Sequence, residues 1–192
     1  TLSADGVTTG IRVALSRCRL KTEIVRVNPD CCDVALLQPA AELLRKGGLV
    51  AFPTETVYGI AADGKNPDAI RRLLAVRESP QEKRLTIHVA DPSDISQHVS
   101  WKPTGPVQRL IRRFMPGPIT IVFPTDDGEG IGIRCPRNAV ARDLIRLSGV
   151  TVVAPSANLS GRPPALTAED ALRDFDGKID CVIDGGKAEC GG

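Results

Sequence analysis

The sequence predicts a single α/β domain built on a mixed sheet. Three observations carry this. The chain has 192 residues, room for one sizeable core and too few for two. Short apolar runs alternate with amphipathic segments, the pattern of strands alternating with helices. Aromatics make up 3% of the chain, so the core must rest on aliphatic side chains. That favours α/β over a sandwich built round Trp and Tyr.

Residues 1–22 have weak periodicity and read as an N-terminal extension to a domain spanning 23–192. Glu23–Val27 reads as a first strand. Val34–Arg45 has helical apolar spacing, with Pro39 marking a start and Gly47–Gly48 a stop. Leu49–Phe52, bounded by Gly and Pro, reads as a buried strand. Asn66-Pro67-Asp68 opens a helix with a cap, a first-turn proline and an acid. Leu85–Val89 is the next strand and Pro106–Phe114 a basic amphipathic helix. After the turn Pro116-Gly117-Pro118 come strands Ile119–Phe123 and Ile131–Arg134, joined without a helix, which is why the sheet is expected to be mixed. Ala139–Leu147 is a helix closed by Gly149, and Val150–Ala154 a strand. Thr167 and Asp170 form a capping box for a last helix, and Cys181–Ile183 is the final strand.

Composition narrows function. The net charge of +2 does not mark a nucleic-acid binder. Two cationic clusters, Arg71, Arg72, Arg77, Lys83 and Arg84, then Arg109, Arg112 and Arg113, read as solvated helix faces or as the walls of a cationic groove. Six cysteines without a CxxC pair, and only His88 and His98, disfavour a structural zinc site. Cys135 and Cys181 read as buried free thiols. No apolar run approaches the ~18 residues of a membrane span, and no signal peptide is read, so a cytoplasmic setting is expected. The first residue is Thr1, so upstream residues are expected to have been removed.

No Walker loop, GxGxxG or GxSxG is present. Polar residues instead gather at strand ends. Pro53-Thr54-Glu55-Thr56-Val57-Tyr58-Gly59 follows a buried strand, where ligands of open α/β sheets bind. It reads equally as a turn whose hydroxyls satisfy its own backbone. Pro155-Ser156-Ala157-Asn158-Leu159-Ser160-Gly161 offers small donors for phosphate, or is a surface turn. Arg134, at a strand end, suits a carboxylate or is a rim charge. His88, alone in an apolar strand, reads more readily as a satisfied residue than as a catalyst.

Together these segments, with Leu85-Thr86-Ile87-His88-Val89, Pro116-Gly117-Pro118-Ile119-Thr120, Ile133-Arg134-Cys135-Pro136 and Ile183-Asp184-Gly185-Gly186, resemble the YrdC/Sua5 family of threonylcarbamoyl-AMP synthases, in the family's order across residues 34–186. The resemblance implies a single-domain twisted mixed sheet with flanking helices round a concave basic cavity. It implies ATP and L-threonine as substrates, with bicarbonate, Mg²⁺ arriving on ATP, and no dedicated metal site. It also implies a partner transferase that acts on tRNA, with RNA contact and no membrane. Thr54, Thr56, His88, Arg134 and the backbone at Ala154 should bound a threonine pocket. Ser156 and Asn158 should contact ATP phosphates. Positioning and charge stabilisation carry the chemistry, with no catalytic acid or base identified. Tyr58 should shape a wall.

The chain departs from the family at Lys-x-Arg, where Arg77 and Ser79 stand. Arg84 takes the place of a proline, and Lys83 keeps a cation nearby. Ser79 loses a charge beside the triphosphate. Either Lys83 or Arg84 compensates, or nucleotide binding is weakened. The family often continues into another strand after Asp-Gly-Gly, whereas this chain stops at Gly191–Gly192, so the domain reads as trimmed before it. Two other readings stand beside the synthase: a carbamoyl-adenylate-forming domain, and a non-catalytic nucleotide- or RNA-binding module.

Overall fold

The computed structural model describes residues 21–79, 85–100 and 104–189. Strands β1 (Glu23–Arg26), β2 (Val50–Phe52), β3 (Gly59–Asp63), β4 (Ile87–His88), β5 (Ile121–Phe123), β6 (Ile131–Arg134), β7 (Val152–Val153) and β8 (Cys181–Asp184) form one sheet in the order β1-β8-β2-β3-β7-β4-β6-β5. β1, β8 and β2 are mutually parallel, and β4 is parallel to β6. The pairs β2–β3, β3–β7, β4–β7 and β5–β6 are antiparallel, so the sheet is mixed as expected.

Alternation of side chains along the strands feeds two core layers. Ala51, Ile60, Ala62, Val153 and Val182 face one layer. It is closed by Leu73 of α2 (Pro67–Val76) and by Ala171 and Phe175 of α5 (Ala168–Phe175). Val50, Phe52, Ala61, Val152 and Ile183 face the other. There Leu44 of α1 (Gln38–Arg45) and Val140 and Leu144 of α4 (Ala139–Ser148) close it. The fifth helix, α3 (Gly105–Phe114), is anchored chiefly by Ile111, while Leu110 and Phe114 remain exposed.

The helix starts follow the sequence signals. Asn66 caps α2 by accepting from the N–H groups of Asp68 and Ala69, and Thr167 and Asp170 form the reciprocal box at α5. Val34–Leu37 is a 3₁₀ turn and α1 begins at Gln38, so Pro39 does mark the start. Gly149 ends α4 at φ +63°, a conformation that costs glycine nothing. Cys135 and Cys181 are buried free thiols, and burial pushes both pKa values up to about 12.

Two elements differ from the sequence reading. β3 was not expected, because Gly-Ile-Ala-Ala-Asp has a single β-branched residue. Burial on both faces and pairing with β2 and β7 make it a strand all the same. A second 3₁₀ turn, Pro92–Gln97, also went unread, although Asp91 and Asp94 form a capping box there. Within the first cationic cluster Arg71 pairs with Asp68, and Arg72 pairs with Asp180 at 2.7 Å. Lys83 and Arg84 lie outside the described residues. Thr22 belongs to the packed domain, since its hydroxyl donates to the Ile179 carbonyl and accepts from the Gly177 N–H.

Candidate functional site

The turn between β2 and β3 and the segment after β7 are zipped together. Ala157 N–H donates to the Tyr58 carbonyl at 2.7 Å, Ile60 N–H to the Pro155 carbonyl at 2.9 Å, and Gly59 bridges Ser156. Gly59 is pressed here: a Cβ would sit 3.3 Å from the Phe52 ring and 3.4 Å from the Pro155 oxygen. The two polar segments read from the sequence are therefore neighbours in space. Tyr58 is fully buried; its hydroxyl donates to the Gly186 carbonyl and accepts from the Gly185 N–H, tying the end of β8 to the same turn. Burial pushes its pKa up to about 12.

Within the turn, the Thr54 hydroxyl accepts from the N–H groups of Thr56 and Val57 and donates to the Val57 carbonyl at 2.6 Å. Its one proton is spent there. In the 3.0 Å contact between the Thr54 and Thr56 hydroxyls, Thr56 is then the donor. Thr56 in turn accepts from Arg134 Nη2 at 2.8 Å. The result is a chain running from Arg134 through Thr56 and Thr54 to the backbone. Thr54 serves as scaffold, the turn reading of this residue, and Thr56 faces the arginine.

Arg134 ends β6, paired with His88 of β4. Its Nη2 also donates to Glu55 Oε1 at 2.8 Å, and Glu55 Oε2 accepts from the Arg137 N–H at 3.1 Å. The Glu55 carboxylate, 2% exposed, is neutralised and its two oxygens are used. Arg134 Nε is buried with no partner, an unpaired donor at the heart of the site. Sequence reasoning did not single out Glu55: its partner lies 79 residues away. An acid amid hydroxyls directly after a buried strand was the only signal.

His88 is buried, its ring set edge-on to Phe52 at 6.3 Å. Nδ1 lies 3.2 Å from the Thr86 carbonyl, which can only accept, so Nδ1 carries the proton and Nε2 is an acceptor. Burial, and then the Arg134 charge, hold its pKa down to about 4, so the ring is neutral. His88 also lines a separate cavity of about 640 Å³ with Asp63, Asp94, His98 and Arg146. Ala154 is buried, and its N–H donates to the Thr86 carbonyl.

A second cavity, of about 270 Å³, brings together Arg77, Ser79, Thr86, Asn158 and Ser160. Arg77 caps α2, and its Nε donates to the Ser156 carbonyl at 3.1 Å. Its pKa is lowered by burial. Asn158 donates both Nδ2 hydrogens, to the carbonyls of Leu159 and Arg162, and leaves its buried Oδ1 without a partner. The residues expected to hold phosphates thus share one cavity, apart from Lys83, which lies outside the described residues, and Ser156, which reaches it through Arg77. No group of three or more His, Cys, Asp or Glu side chains suited to a metal occurs among the described residues. No helix among them is long and apolar enough to cross a membrane.

Fold and loops together define a mixed-sheet α/β domain with an arginine-centred candidate site beside a hydroxyl- and amide-lined cavity. Residues 42–192 match the model of the Sua5/YciO/YrdC family, described as telomere recombination. The chain is 40% identical over 166 residues to the threonylcarbamoyl-AMP synthase of Bacillus subtilis, covering 79% of this chain and 46% of that protein. It is 33% identical over 155 residues to that of Idiomarina loihiensis, covering 76% and 83%. The crystal structure of Pyrococcus abyssi Sua5 complexed with L-threonine superposes with a TM-score of 0.81 at 35% identity, over 87% of this chain and 51% of that one. Escherichia coli YciO shares the fold, with a TM-score of 0.77 at 24% identity over 86% and 85%. The chain belongs to the Sua5/YciO/YrdC family. It spans about half the length of its Bacillus and Pyrococcus relatives, 46% and 47%.

Proposed function

We propose that this chain is a nucleotidyltransferase that makes threonylcarbamoyl-adenylate from L-threonine, bicarbonate-derived carbon dioxide and ATP. The observation that carries this is Arg134: a guanidinium already fixed through Nη2 by Glu55 and Thr56, whose Nη1 donors have no protein partner among the described residues. A ligand carboxylate is the group that would satisfy them. The acceptor Nε2 of neutral His88 would accept a hydrogen bond from the threonine hydroxyl. The cavity of Arg77, Ser79 and Asn158 would take the nucleotide.

In this reaction the threonine amine adds to carbon dioxide and gives up a proton, forming a carbamate. A carbamate oxygen bonds to the α-phosphorus of ATP as the bond to the β-phosphate oxygen breaks, and pyrophosphate leaves. The attacking oxygen is already anionic, which accords with a site whose one histidine is neutral and whose carboxylate is spent. The cavity offers the Arg77 guanidinium, hydroxyls and the Asn158 Oδ1, and no Asp or Glu lines it. Mg²⁺ would therefore be held by the phosphates it arrives with. A separate cytoplasmic transferase would pass the threonylcarbamoyl group to adenosine 37 of tRNA.

Ser79 favours a second reading, a nucleotide-binding module without turnover, because it puts a neutral side chain where the family carries a cation. Pyrophosphate release from ATP and bicarbonate, with and without L-threonine, separates the two. Threonine-dependent release is the expected result. Release only from Ser79→Arg would mean a decayed site, and silence from both would remove the synthase reading.

A further inference from the structure

We infer that Glu55 is the positioning residue for Arg134 and thereby sets the affinity of the site for a substrate carboxylate. This deepens the reading of Arg134 as the carboxylate receptor and rests on it. A guanidinium has five N–H groups. Two of them, on Nη2, are bonded to Glu55 Oε1 and Thr56 Oγ1, both at 2.8 Å. That leaves Nε–H, which is buried without a partner, and the pair on Nη1. Nε–H shares an edge of the guanidinium with Nη2 and is closed to solvent, so the donors left for a ligand are the pair on Nη1.

Glu55 can do this because it is itself anchored. Its second oxygen accepts from the Arg137 N–H, so the carboxylate spans from the end of β6 to the start of the α4 loop. The side chain is 2% exposed and that of Arg134 15%, so solvent scarcely screens the pair. A lone arginine at this place would be a mobile buried cation. Paired with Glu55, it is held in one orientation with the Nη1 donors left unpaired, the preorganisation that lets binding proceed without reordering. Neutralisation by Glu55 also means that an incoming carboxylate meets a dipole-like pair and not a bare charge, so recognition depends on aim.

The test uses the whole chain and two readouts. The first is the Arg134 Nε–H resonance in a ¹⁵N–¹H spectrum, assigned by its loss in Arg134→Lys. In the wild type it should be dispersed and slow to exchange with solvent. Glu55→Gln can accept from Arg134 or from Arg137 but not from both, and should move the resonance to the free-arginine position. The second readout is substrate dependence. Glu55→Gln should raise the threonine KM about 10- to 100-fold, the worth of one charge-assisted bond, while the ATP KM and the rate at saturating threonine hold. Glu55→Asp keeps the charge and should give intermediate values in both, which covers the case in which Glu55→Gln does not fold. An unmoved Arg134 resonance in these variants, or equal losses toward ATP and threonine, overturns the positioning role. If the wild-type resonance does not shift on adding L-threonine, the threonine reading fails, while the response to Glu55→Gln still decides whether Glu55 aims Arg134.

Discussion

On the Arg134 side of the site the arginine already has two hydrogen bonds from one nitrogen, and Arg134, Thr56 and Thr54 form an unbroken relay into the backbone, with Glu55 as a second anchor. At the phosphate side the side chains are tied mainly to carbonyl groups of their own loop, Arg77 to Ser156 and Asn158 to Leu159 and Arg162. One half is a buried charge network, the other a shaped loop of neutral polar groups with one cation. Buried ionic networks are intolerant of losing a partner, whereas neutral loops lose single hydrogen bonds. Substrate selection should therefore reside in the first half, and the second should tolerate exchanges such as the one at Ser79.

The largest expected effect breaks the network outright. Arg134→Ala leaves Glu55 as a buried unpaired carboxylate, costing about 3–5 kcal/mol by chemical denaturation. Threonine-dependent turnover should fall with it, by about 100-fold or more in threonine KM. A loss below 1 kcal/mol, a limit set by exposed pairs, would place Arg134 at the rim after all.

Acid titration sharpens the same contrast through His88. Its folded pKa of about 4 lies below the ordinary value of 6.5, so the unfolded chain binds the proton more readily. Stability is unaffected above about pH 6.5, declines as the pH falls through the window down to 4, and has then lost roughly 3 kcal/mol from this group. His88→Gln should remove that part of the slope. Asp91 and Asp170, lowered chiefly by backbone hydrogen bonds from Ser93 and Leu166, keep theirs.

On the phosphate side, Asn158→Ala removes two donors to loop carbonyls and should cost about 1–3 kcal/mol, with a raised ATP KM and an unchanged threonine KM. A shift in threonine KM as large as that in ATP KM would show the halves to be one unit. The smallest effect on substrate binding is Tyr58→Phe, which loses the bond to the Gly186 carbonyl and the one from the Gly185 N–H and should cost about 1–3 kcal/mol with little change in either KM.

Elements carrying their own local signals were readable in advance. Asn66-Pro67-Asp68 and Thr167 through Asp170 announce helix starts because the caps lie within four residues. β6 was legible as Ile131–Arg134 because its apolar run is bounded by turns. β3 was not, since small residues form a strand only when neighbours on both edges and both faces supply the pairing and burial. The site divides likewise. Arg134, His88 and Asn158 stood out by chemistry and position. That Thr54 spends its hydroxyl on its own turn was one of the two readings of that segment, because its partners lie within three residues. That Glu55 holds Arg134 depends on a contact across 79 residues, which sequence spacing does not encode. The neutral state of His88 was equally invisible, being set by burial beside Arg134.

The most direct measurement of the central claim is mass spectrometry of the product formed from ATP, L-threonine and ¹³C-bicarbonate by the chain itself. The account predicts threonylcarbamoyl-adenylate carrying the label, formed together with pyrophosphate. An adenylate without the label, or ATP consumed with no threonine in the product, would contradict it.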